Sequence, residues 1–154
     1  MTLYATVLWL YGVMTSIVFG ASVYESVVVH PAWSREPPES LVGVVGARMN
    51  FPLFWKPVAP LYALSGLGAL ALASRAGSPP MPLAVSAACA VTVVVWTLVY
   101  FRRTITRYLE TGGGNVPAER LQSEVRRWVR LNWIRLAMVA VSWAGALAAN
   151  GASR

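Results

Sequence analysis

The chain has 154 residues, of which 56% are hydrophobic and only 12% are charged, and its net charge is +7. This length suits one domain, but the composition excludes an ordinary soluble one, because the apolar residues form four long blocks with almost no charge. The excess of arginine does not indicate nucleic acid here, because clustered arginines in a membrane protein mark its cytoplasmic loops. Cys89 is the only cysteine, so no internal disulfide can form.

The four blocks predict an all-α integral membrane four-helix bundle in one domain covering residues 1–154. The first block has no Lys or Arg before its apolar run, so we interpret it as a retained helix and not as a signal peptide. A short interfacial helix is predicted in the first loop, from about Pro38 to Asn50, because Pro38 and Glu39 suit a first helical turn. The expected spans cover about residues 3–25, 57–74, 83–103 and 131–149.

The positive charges are distributed unequally between the two sides of the predicted bundle. Four spans place both termini on one side, which carries only Arg75 and Arg154. The other side carries Arg35, Arg48, Lys56, Arg102, Arg103, Arg107, Arg120, Arg126, Arg127 and Arg130. This bias predicts a multi-pass protein of the cell membrane with cytoplasmic long loops and extracytoplasmic termini. Membrane lipid is the expected partner of the loop arginines.

The fourth block carries a single charge, Arg135, inside its apolar run. An arginine within a span is costly and usually faces the bundle interior or a wet cavity. We therefore predict that Arg135 points inward and meets a polar partner from the first helix or first loop, with Glu25 as the expected one. The residues that share its helical face are Trp128, Asn132, Val139 and Ser142.

His30 and Glu25 are the candidate proton-transfer groups, since His30 is the only histidine and Glu25 directly follows an apolar run. The alternative without a functional role is that His30 is an interfacial residue before a helix-breaking proline. One histidine cannot form a multi-histidine metal site, so no metal or cofactor is assigned. The alternative to a protein without a cofactor is a haem with His30 as its axial ligand, or a metal site of mixed His and Glu ligands. The candidate substrate-binding residues are Tyr24, Arg48, Asn50, Trp55, Trp128 and Asn132.

Two segments of the chain carry a resemblance to a known family. They are residues 20–33 (Gly-Ala-Ser-Val-Tyr-Glu-Ser-Val-Val-Val-His-Pro-Ala-Trp) and residues 128–135 (Trp-Val-Arg-Leu-Asn-Trp-Ile-Arg). Together with the four-helix layout, these segments resemble the anthrone oxygenase-like family of small membrane proteins. This family is also described as a domain of unknown function. The resemblance implies that O2 oxidises a polycyclic phenolic ketone without an obvious redox cofactor, as in natural-product biosynthesis. His30, Glu25 and Arg135 are then the candidate catalytic residues.

The predicted function is therefore that of a membrane oxidoreductase, a monooxygenase that acts on an apolar aromatic or polyketide-type molecule. Two other classes of function are alternatives to it. The first is a non-enzymatic membrane protein that binds a small molecule or serves in assembly, and the second is a haem or metal redox protein that uses His30. An enclosed cavity touching both Arg135 and the end of the first helix would favour the enzyme. No nucleic-acid partner is expected, and the sequence leaves homo-oligomer formation and the substrate open.

Overall fold

The computed structural model describes residues 2–37, 39–40, 51–104 and 117–152, and their regular structure is helical. Within these residues the main α-helices are α1 (Leu3–Tyr24), α2 (His30–Trp33), α3 (Phe51–Arg75), α4 (Met81–Trp96) and α5 (Ala118–Ala152). Two π-helical turns extend them: Glu25–Val29 joins α1 to α2, and Thr97–Phe101 follows α4.

In the part of the chain that the structure describes, four continuous helical segments are long and apolar enough to cross a membrane, which confirms the all-α, four-span prediction. The predicted interfacial helix from Pro38 to Asn50 falls largely outside the described residues and stays a prediction. We refer to the four segments in chain order as the first to fourth spans; they are Leu3–Ala32, Leu53–Arg75, Met81–Thr104 and Glu119–Ala152.

The first span continues past residue 25, where the sequence predicted its end. In an α-helix, Pro31 would remove a backbone donor and clash with the carbonyl four residues earlier. The π-turn Glu25–Val29 changes this pairing, because the His30 N–H donates to the carbonyl of Glu25, five residues before it. Pro31 then lies in the first turn of α2, where no N–H is needed, so it does not break the helix.

One face of the fourth span forms the centre of the bundle. Its buried residues alternate at intervals of three and four, the spacing of a knobs-into-holes interface. Along this face α5 packs against both α4 and α1. The face predicted around Arg135 is therefore the buried face, and its members are Leu121, Val125, Trp128, Asn132, Arg135, Val139, Ser142, Ala146 and Ala149.

A cluster of hydroxyl groups joins three spans in the half of the bundle that contains the termini. The Tyr11 hydroxyl lies 2.7 Å from Ser86 Oγ and 3.1 Å from Ser142 Oγ. Ser86 Oγ donates to the Ser142 carbonyl at 2.5 Å, and Ser142 Oγ donates to the Ser86 carbonyl at 3.0 Å. Close approach of α4 and α5 depends on Gly145, where an added Cβ would lie 2.6 Å from the Pro82 carbonyl oxygen. This half of the bundle is thus tightly packed.

Candidate functional site

A second polar cluster lies near the other end of the bundle and includes side chains from all four spans. We call it the polar cluster. Its centre is buried within a largely apolar protein: the exposed fraction is 1% for Asn132, 5% for His30 and 8% for Arg135. Buried polar groups at this density are expensive unless they satisfy one another. The members are Glu25, Ser26 and His30 of the first span, Trp55 of the second, Thr97 of the third, and Asn132 and Arg135 of the fourth.

Arg135 connects the first, third and fourth spans within the polar cluster. Its Nη2 lies 3.7 Å from Glu25 Oε2, and its Nε donates to Asn132 Oδ1 at 2.9 Å. Nη1 donates to the hydroxyl of Thr97 at 3.3 Å, and the guanidinium lies over the Phe101 ring, 5.2 Å from its centre. The prediction that Arg135 faces inward and meets Glu25 is confirmed.

Glu25 is held from two sides. Its Oε1 accepts a hydrogen bond from the indole Nε1 of Trp55 at 2.7 Å, while Oε2 faces Arg135. Only 14% of the Glu25 side chain is exposed, so the guanidinium charge acts on it with little screening by water. Substrate binding by Trp55 stays a prediction; in the structure its indole N–H donates to the Glu25 carboxylate.

The π-turn places Glu25 and His30 on the same side of the first span. In a regular α-helix, residues five apart point about 140° away from each other around the axis. The five-residue hydrogen bonding of the turn brings His30 back above Glu25, and both then face the fourth span. Ser26 contacts that span as well, because its Oγ accepts from Asn132 at 2.9 Å and donates to the Ser22 carbonyl at 2.7 Å. π-helical turns inside α-helices are frequent at functional sites.

His30 lies between the polar cluster and a group of aromatic side chains. On one side, its Nδ1 is 3.0 Å from Asn132 Nδ2. On the other, its ring meets Trp128 edge-to-face at 4.8 Å, and Trp128 meets Phe101 in the same way at 5.1 Å. Trp128 and Phe101 belong to a small apolar core whose buried members are Val29, Phe101, Leu121, Val125 and Trp128.

A surface groove of about 420 Å³ lies next to the polar cluster, at the point where the fourth span emerges from the bundle. It is lined by Ser34, Arg126, Val129 and Arg130. The groove begins one turn beyond His30, since the Ser34 N–H donates to the His30 carbonyl at 3.1 Å. Its volume falls within the range of small-molecule sites, about 300–1,000 Å³. The groove is open and Arg135 does not line it. It is therefore not the enclosed cavity, touching both Arg135 and the end of the first helix, that would favour an enzyme.

The other predicted site residues are placed differently. Tyr24 is 59% exposed and points away from the bundle, so it does not join the polar cluster. The buried face at this end of the first span contains Ser22 and Ser26 instead. Arg48 and Asn50 lie outside the described residues, and their predicted contribution is not tested.

The sequence interpretation missed three members of the site, Ser26, Thr97 and Phe101. Ser22 and Ser26 are four residues apart, which could have indicated a polar face toward the end of the first span. Thr97 and Phe101 lie in an uncharged block and gave no such signal. Within the described ranges, no group of three or more His, Cys, Asp and Glu side chains is arranged to hold a metal ion.

These features define a small helical membrane protein of four spans with a buried cluster of charged and polar groups near one end. The chain belongs to the anthrone oxygenase family, whose model matches residues 51–145. The match contains the cluster members of the second, third and fourth spans, whereas Glu25 and His30 precede it. No curated protein and no solved structure matches the chain.

Proposed function

We propose that the protein is a membrane-embedded oxygenase that converts an activated methylene of an apolar aromatic ketone into a carbonyl group with O2. Membership of the anthrone oxygenase family supports the reaction class. The observation that carries the proposal is the polar cluster itself: a buried arginine, a carboxylate and the single histidine joined in one network. A structural role alone would not require three ionisable side chains at this cost.

The first step is removal of a proton. A methylene between two aromatic rings and opposite a ketone is acidic, because its electron pair delocalises onto the ketone oxygen. Glu25 and His30 are the two groups of the cluster able to accept a proton. Arg135 supplies a fixed positive charge that stabilises the developing enolate, and its contacts to Asn132 and Thr97 hold that charge in place.

The second step is reaction of the carbanion with O2. One electron passes to O2, the two radicals combine to form a carbon–oxygen bond, and the resulting peroxide anion takes up a proton. Removal of the second methylene proton then breaks the O–O bond and yields the carbonyl and water. In sum, one CH2 group and one O2 give one C=O group and one H2O. The oxidation therefore needs no external reductant.

The groove beside the cluster is the proposed place where the substrate first binds, before its methylene group reaches Glu25 and Arg135 in the polar cluster. Its lining includes Val129, which packs against the small apolar core. Arg126 and Arg130 also line the groove and can donate hydrogen bonds to phenolic oxygens of the substrate, whose apolar rings then lie against the helices. Such a substrate dissolves in the bilayer and can reach the groove from there.

We also propose that the polar cluster lies at the cytoplasmic side of the cell membrane. The loops at this end carry ten of the thirteen basic residues, against two at the other end. Both termini are then extracytoplasmic.

The test uses the purified full chain in lipid nanodiscs with a hydroxylated anthrone and dissolved O2. Quinone absorbance and O2 consumption should rise together in a one-to-one ratio, above the rate of spontaneous oxidation in empty nanodiscs. Arg135→Met should lower turnover about 10²–10³-fold, the effect of losing an electrostatic stabiliser. Tyr24→Phe, on the outward face, is the matched control and should leave it unchanged.

Failure of the wild-type protein to exceed the empty-nanodisc rate would refute the proposed function. An absorption spectrum of the same preparation tests the alternative of a haem protein, because a haem bound through His30 would give a strong visible band.

A further inference from the structure

The hydrogen bonds of the polar cluster assign separate roles to its two proton-transfer candidates. We infer that His30 is held with its proton on Nε2 and acts as a hydrogen-bond donor, that Glu25 is the base, and that Asn132 is the positioning residue that enforces this division. The catalytic part of the inference rests on the proposed oxygenase function, but the protonation pattern of His30 does not.

The argument starts from Arg135, whose guanidinium has only donors. Its Nε donates to Asn132 at 2.9 Å, so the Asn132 atom on that side must be the amide oxygen. The amide nitrogen then faces the first span, where its neighbours are Ser26 Oγ at 2.9 Å and His30 Nδ1 at 3.0 Å. An amide nitrogen only donates, so His30 Nδ1 must accept. A neutral imidazole with an accepting Nδ1 carries its proton on Nε2.

The hydrogen bonds of Ser26 independently support the same orientation of the Asn132 amide. Its hydroxyl proton is committed to the Ser22 carbonyl at 2.7 Å, so its oxygen accepts from Asn132. Both amide hydrogens of Asn132 are then used, one by Ser26 and one by His30. Turning the amide over would oppose its NH2 group to the Arg135 donor in a buried site, which is costly. The orientation of Asn132 is thus fixed by two independent neighbours.

The consequence for the reaction is that His30 and Glu25 have different roles. A base needs an available lone pair, and that of His30 Nδ1 is engaged by a buried amide while Nε2 carries a proton. The Nε2–H group only donates and cannot take up the proton of the substrate. Glu25 retains acceptor capacity on both carboxylate oxygens, since Trp55 and Arg135 together leave further lone pairs.

The test is direct because the chain has one histidine. The full-length protein, labelled with ¹⁵N in the imidazole ring and reconstituted in nanodiscs, should give a single pair of ring-nitrogen signals. We expect a protonated Nε2 and an unprotonated Nδ1 at pH 7. A proton on Nδ1, alone or together with one on Nε2, would overturn the inference.

Two variants extend this test to the role of Asn132. Asn132→Asp replaces the amide by a carboxylate that only accepts, so His30 should move its proton to Nδ1 or take up a second one. Gln122→Glu makes the same chemical change at an exposed position of the fourth span and should leave the wild-type pattern. An unchanged His30 signal in folded Asn132→Asp protein would show that Asn132 does not position the ring.

The catalytic roles are separated by turnover. Glu25→Gln should lower the rate about 10²–10⁴-fold, as for loss of a general base. His30→Gln keeps a side-chain donor and should lower it only about tenfold, the effect of roughly one hydrogen bond. The reverse order would make His30 the base and refute the assignment. Absence of any wild-type turnover would refute the proposed function and leave the nitrogen spectrum as an independent result.

Discussion

The Glu25–Arg135 pair should show strong energetic coupling in the folded protein. At 3.7 Å, two unit charges attract each other by about 4 kcal/mol at an effective dielectric constant of 20. The exposed fraction is 14% for the Glu25 side chain and 10% for the Arg135 side chain, and coupling between contacting residues is usually about 0.5–3 kcal/mol. We therefore expect a coupling of about 2–3 kcal/mol, at the upper end of that range.

The measurement is a double-mutant cycle with Arg135→Met, Glu25→Gln and both together. The free energy of unfolding is obtained in mixed micelles with an increasing fraction of dodecyl sulfate, followed by helical circular dichroism. Arg135→Met leaves a buried carboxylate without its cation and should cost about 3–5 kcal/mol. The double variant should cost clearly less than the sum of the two single ones, because it leaves no unpaired charge.

The matched control is the exposed pair of Arg120 and Glu124, whose N–O distance is 3.3 Å but whose side chains are 73% and 37% exposed. The same substitutions there should give a coupling of at most about 0.5 kcal/mol. If the costs at Glu25 and Arg135 simply add, or if the surface pair couples as strongly, then burial does not set the strength of this interaction and the reasoning is wrong.

Three further predictions concern other parts of the molecule. Gly145→Ala places a Cβ 2.6 Å from a backbone carbonyl of α4 and should lower the free energy of unfolding by about 1–3 kcal/mol. Gly20→Ala is the control, because a Cβ added at Gly20 would meet no atom within 4 Å, and it should not lower the free energy of unfolding. Equal effects of the two substitutions would contradict the close approach of α4 and α5. Trp55→Phe removes the donor to Glu25 and should lower turnover about tenfold without changing the gel-filtration profile, and full turnover would exclude a positioning role. Thr2→Cys, with the native cysteine replaced by alanine, should react with a membrane-impermeant maleimide in intact cells, whereas protection would reverse the proposed orientation.

The sequence was sufficient to predict the four spans and the inward position of Arg135. Long uncharged blocks leave few alternatives to spanning helices, because an apolar helix has nowhere else to bury its surface. An arginine inside such a block must find a polar partner, and Glu25 lay at a similar depth. Both predictions depend on large free energies, which local detail cannot reverse.

Details set by small free energies were not predictable in the same way. Pro31 suggested the end of the first helix, but the π-turn accommodates it and continues the span. Tyr24 was expected in the site because it lies at the predicted end of the first helix, next to Glu25, and it faces outward instead. The hydroxyl of Thr97 became part of the site only through packing of the third span against the fourth. No pattern along the chain encodes that contact.

The π-turn also affects how related sequences should be compared. A π-helical turn accommodates one residue more than the α-helical turn that it replaces. Deleting one residue between Glu25 and His30 would therefore leave the two side chains four residues apart in a regular α-helix, where they still share a face. A relative of equal length without the π-turn would instead point them about 140° apart and lose the site. The length of the segment is thus as informative as the identity of its residues, and a one-residue alignment gap there can join two equivalent geometries.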